Sequence, residues 1–225
     1  MSLPVAPHPT PRDLLVLHAL RCTGTSGTAR LAATTGLPEA EAESELIDLA
    51  VSGLVTRTAG PFGGWSLTDP GRAADAARIA EELHAADARS AVTAAFERFL
   101  VLNPELLDLC TAWQTRTVDG TLTANDHTDP AHDARVLHRF VDLHRRAEPV
   151  CTELAAVLAR FGHYRARLAD ALARAGGGER EYLTDDLASY HTVWFHLHED
   201  LLATLGIPRG WTAEPPSDRT GSGPR

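Results

Sequence analysis

The stretch from Leu14 to Arg72 constrains the fold more than any other part of this chain, because breakers and apolar stripes alternate there in a fixed order. An apolar run, Leu14 to Leu20, is broken by Thr23-Gly24-Thr25-Ser26-Gly27. A short helical segment, Thr28 to Thr34, closes at Gly36, and a second helix starts at Pro38, where the missing N–H has no helical partner to lose. Ala42, Leu46 and Leu49 form its buried stripe and Gly53 stops it. The β-prone runs Leu54–Ala59 and Trp65–Thr68 then flank Gly60-Pro61-Phe62-Gly63-Gly64, the pattern of a hairpin around a Gly-rich turn.

Helix, turn, helix, hairpin in that order resembles the MarR-type winged-helix proteins. The resemblance rests on Leu31-Ala32-Ala33-Thr34-Thr35-Gly36-Leu37, Leu46-Ile47-Asp48-Leu49, Gly53-Leu54-Val55 and Gly64 to Arg72. It implies a winged helix-turn-helix that binds double-stranded DNA as a homodimer and answers to a small-molecule effector. The expected contacts to DNA are Thr28 and Arg30 on the short helix, Ala40 and Ser44 on the outward face of the next, and Arg57 and Thr58 on the hairpin.

Charge argues against DNA. The chain carries 21 basic and 30 acidic side chains, for a formal net of −9, and every basic residue is Arg. The helix expected to read bases holds Glu39, Glu41, Glu43, Glu45 and Asp48 and no cation. Carboxylates beside phosphates forfeit the counterion release that drives most DNA affinity, although they can accept from cytosine N4.

Beyond the hairpin the pattern is helical. Gly71 to Leu102 reads as one long or kinked helix, Asn103-Pro104 as the cap and first turn of another, and residues 116–132 as a long loop. Asp133–Phe161 with Pro149 inside, Tyr164–Ala175 and Glu181–Leu205 complete the set. The expected fold class is therefore mainly α: a winged helix over residues 12–72 and an antiparallel helical bundle over 73–210. Disordered ends are expected at 1–11 and 211–225. No apolar run is long enough to cross a membrane, and three widely spaced cysteines fit neither a disulfide frame nor a zinc ribbon, so a cytoplasmic protein is expected.

The last helix carries the most unusual segment, Tyr190 to Asp200, with three histidines. His191 and His198 lie seven residues apart, roughly 10.5 Å along a helix axis, too far to share one ion. No metal site is expected there, and no cofactor motif is present: no Walker loop, no dinucleotide glycine fingerprint and no nucleophile elbow. A small-molecule pocket is expected among Trp113, His144, Glu148, Tyr190, His191, Trp194 and His198. The reading that follows is a one-component transcription regulator with DNA binding in its first third and ligand sensing in the bundle. The alternatives are an enzyme of small-molecule metabolism that dimerises through an acidic winged helix, with its active site in the His- and Trp-lined bundle, and an interaction module with a basic partner.

Overall fold

The computed structural model describes residues 6–60 and 63–208. Among them, eight α-helices and two separate antiparallel hairpins make a mainly helical protein. The expected disordered tail, 211–225, and the hairpin turn residues Pro61 and Phe62 lie outside the described residues.

The first core gathers three helices and a hairpin, and the local rules read in the sequence explain its boundaries. Helix α1 spans Arg12–Thr23 and ends at Gly24, α2 spans Thr28–Thr35, and α3 spans Glu39–Val51. Gly36 closes α2 in the left-handed region, φ 73°, and a Cβ there would stand 2.7 Å from the His163 ring. Both its conformation and its crowding require glycine. Strands β1 (Val55–Thr58) and β2 (Gly64–Leu67) pair with Arg57 opposite Trp65, and Ser26 adds a bridge to Trp65 that ties the hairpin to the α1–α2 turn. Leu17, Leu20, Leu31, Leu46, Val55 and Leu67 fill the space between them.

Thr68 caps helix α4 (Asp69–Ala85) by accepting from Gly71 N at 3.0 Å. The sequence pattern suggested that this helix ran on to Leu102. It stops instead at Ala85, and Asp87 (φ 49°) turns the chain before α5 (Arg89–Gln114). Helix α5 then passes through Asn103-Pro104 without a break, contrary to the expected new start. Pro104 is exposed, so water can meet the carbonyl left without its helical donor.

The segment expected as a loop at 116–132 contains a second hairpin, β3 (Thr115–Val118) with β4 (Thr121–Ala124). Asp119 (φ 49°) and Gly120 (φ 79°) form its two-residue turn, both left-handed as such a tight turn requires. Asp129 caps α6 (Pro130–Val157) by accepting from the amides of Ala131 and His132. Helix α7 (Gly162–Gly176) follows a single 3-10 turn at Ala159–Phe161. The last helix, α8, is shorter than expected and spans Tyr190–Leu205. Leu187, within the expected helix 181–205, lies in the preceding turn and is exposed.

A second core, with Phe96, Phe99, Phe140, Leu154, Phe161 and Trp194 among its members, joins α5 to α8. Helix α1 packs against α2, α3 and α4 in the first core and also against α8, so it is buried almost all round. The first residues are equally committed. Residues 6–11, expected to be disordered, run beside the end of α6: His8 N donates to Val157 O at 3.0 Å, and His8 O accepts from Ala159 N at 2.9 Å.

Candidate functional site

Three places bear on function: a cleft at the first hairpin, the aromatic and histidine cluster of α8, and a buried polar junction between the two cores. The cleft, about 500 Å³, is lined by residues including Thr28, Arg57, Thr58, Gly60 and Trp65. Helix α2 begins there at Thr28 with Gly27 as its cap residue and no side-chain cap bond, so its first amides are free to meet an anion. Trp65 Nε1 donates to Thr28 Oγ1 at 3.1 Å, which leaves the threonine hydroxyl proton for another acceptor. The Arg57 guanidinium stands 5.5 Å over the Trp65 ring and, among the described residues, has no carboxylate partner.

The other residues expected at DNA divide. Ala40 and Ser44 are exposed on α3, in line with Ile47 (50 % exposed) and Val51 (85 % exposed). Arg30 is turned away from that face. Its Nη2 reaches Leu187 O at 3.5 Å, beside Asp186, and partial burial lowers its pKa.

The expected ligand pocket around Trp194 is closed. Phe99 stacks on the Trp194 ring at 4.6 Å, Tyr190 lies 6.2 Å away on the same helix, and Trp194 Nε1 donates to Asn103 Oδ1 at 2.9 Å. Among the remaining candidates, His144 and His198 border this packed cluster, whereas Trp113, Glu148 and His191 find partners elsewhere. His144 Nδ1 lies 3.3 Å from the Tyr190 hydroxyl, and Glu148 pairs with Arg165 at 2.6 Å. Trp113 packs on His127 at 4.8 Å, His198 lies 5.3 Å from Phe99, and the His191 amide donates to Leu183 O. The correction has a simple cause: an aromatic stripe at helical spacing fills a core unless something holds it open. The enzyme alternative placed its active site in this same filled space.

The polar junction was not anticipated. His18 and Cys22 come from α1, Asp75 and Glu82 from α4, Arg160 from the 3-10 turn, Tyr164 from α7, and Asp200 and Thr204 from α8; all are buried. His18 Nδ1 lies 2.9 Å from Asp75 Oδ1 and its Nε2 lies 3.2 Å from Asp200 Oδ1. Arg160 donates to Glu82 at 2.9 Å, to Thr204 at 2.7 Å and to Asp200. Tyr164 donates to Asp200 Oδ2 at 3.0 Å. Burial alone would push the Asp200 carboxyl up, but Arg160 and His18 hold it well below the usual range. Burial likewise opposes the His18 cation, yet Cys22, Asp200 and Asp75 together raise its pKa well above normal. The sequence offered one signal here, His18 and Cys22 a helical turn apart; their partner at position 200 carried none.

His196, beside this junction, behaves oppositely. Burial and the nearby cations Arg167 and Arg30 push its pKa down to about 3, and Nδ1 accepts from Arg167 at 3.3 Å. The unfolded chain therefore takes up this proton first as pH falls. Its contribution is complete above about pH 6.5 and is lost progressively below. Between pH 7 and 5 the parent should lose about 2 kcal/mol more stability than His196→Gln, read from urea midpoints. Equal losses would show that His196 is hydrated in the folded state.

No family model matches this chain, and no curated protein or solved structure matches it, so its functional reading rests on residues and geometry.

Proposed function

We propose that the chain is a one-component transcription regulator, with residues 12–72 as a winged helix-turn-helix and the helices beyond as a bundle that supports and dimerises it. The observation that carries this reading is the convergence of Thr28, Arg57 and Thr58 on one cleft at the uncapped start of α2. A phosphate oxygen there would meet free amides, a hydroxyl and an unpaired guanidinium, which are groups that set a protein's register on a duplex. Along α3, the methyls of Ala40 and Ile47 suit thymine methyls and Ser44 can donate to a base edge. The acidic flanks of α3 lower affinity without removing these contacts.

The test is fluorescence anisotropy at low salt with duplex from the gene's own upstream region. Arg57→Ala should weaken binding evenly across sequences and lower the salt slope by about one unit. A parent protein with no affinity for any duplex at low salt would overturn the proposal. The exposed Ile47 and Val51 on an acidic helix favour a second reading, contact with a basic protein surface, and that result would move α3 to this role.

A further inference from the structure

The geometry points to a binding site for a divalent transition-metal ion of the zinc class at the junction of α1 and α8, with His18 Nε2, Cys22 Sγ and an Asp200 carboxylate oxygen as its protein ligands. The site stands independently of the DNA reading. His18 Nε2 lies 3.7 Å from Cys22 Sγ and 3.2 Å from Asp200 Oδ1, and the three ligand atoms lie within 4.8 Å of one another. Nitrogen, sulfur and oxygen ligands around one tetrahedral zinc ion stand roughly 3.3–3.6 Å apart, so little movement is needed to close the triangle. Imidazole, thiolate and carboxylate are also the ligand types that such an ion takes.

The surroundings are those of a supported site. Asp75 Oδ1 lies 2.9 Å from His18 Nδ1 and fixes Nε2 toward the other two ligands, the carboxylate–histidine arrangement that orients metal-bound imidazoles. Arg160, Tyr164 and Thr204 hold the Asp200 carboxylate in place. A cavity of about 20 Å³ adjoins the cluster, lined in part by His18, Asp200, Tyr164, His163 and Thr35. That is room for one water, which would complete four-coordination beside three protein ligands.

The ligand set is split between a helical turn of α1 and one residue of α8.

Cobalt(II) is the direct probe, added to full-length protein first stripped with chelator. One equivalent per chain should produce ligand-field bands and a thiolate-to-cobalt charge-transfer band, and zinc should displace it. Cys22→Ser should abolish the charge-transfer band. Asp75→Asn, which leaves all three ligands in place, should weaken binding by about 10- to 100-fold. Circular dichroism confirms that each variant is folded, and the parent's own spectrum tests the site without any variant. Absence of both bands in the folded parent would overturn the proposal. So would a charge-transfer band undiminished in Cys22→Ser, since Cys110 or Cys151 would then be its source.

Discussion

Arg160→Met should destabilise the protein by about 3–5 kcal/mol, the range expected when one partner of a buried ion cluster is removed. Arg160 is buried and divides its guanidinium among Glu82, Asp200 and Thr204, with Glu82 also accepting from Thr10. Methionine fills a similar volume but leaves Glu82 without a cation and Asp200 with His18 alone. Arg160→Lys should recover only part of the loss, because an ammonium cannot reach three acceptors in a planar fork. Combining Arg160→Met with Glu82→Leu should cost less than the sum of the two single changes, since they share one interaction. Chemical denaturation of the four proteins measures this, and a loss below about 1 kcal/mol for Arg160→Met would mean that water already reaches the cluster.

Trp194→Ala should cost a comparable 3–5 kcal/mol. The ring is 2 % exposed, stacked on Phe99 and bonded to Asn103, so its removal opens a cavity and orphans a polar atom. His191→Ala, one helical shoulder away, should change stability by less than about 0.5 kcal/mol, because it is half-buried and its hydrogen bond to Leu183 comes from the backbone amide. Thermal melts of the pair distinguish a filled core from a ligand chamber. A Trp194→Ala protein as stable as its parent would reopen the pocket reading.

Local signals were legible where a single residue type decides geometry. Gly36 and Gly53 marked the ends of α2 and α3, and Ala42, Leu46 and Leu49 marked the buried face of α3. Asp119-Gly120 between two Thr-rich runs was an equally local hairpin signal, but the polar residues around it suggested a loop. The break at Asp87 had no such marker in an Ala-rich stretch, and Pro104 marked a boundary that tertiary packing overrode. Among the candidate residues, Thr28, Arg57 and Thr58 line one cleft, and they lie near elements whose order was readable. Tyr190 and Trp194, expected to line a pocket, are buried in the core, because periodicity cannot tell a filled stripe from a lined cavity. Asp200 was missed as a partner of His18 because only the packing of α1 on α8 brings them together.

The bridge between His8 and Leu158, together with the junction at Asp200, sets an order of assembly on a chain made from its N-terminus. Helix α1 leaves the ribosome before every helix it packs against. Yet the backbone of His8 has no partner until residues 157–159 emerge, and His18 lacks one of its carboxylates until residue 200. Contacts so distant in sequence carry a high loop-closure cost and form late. Helix α1 thus has its buried polar groups satisfied only once α8 is made, and a chain cut short before α8 would leave His18 and Arg160 in the interior without Asp200.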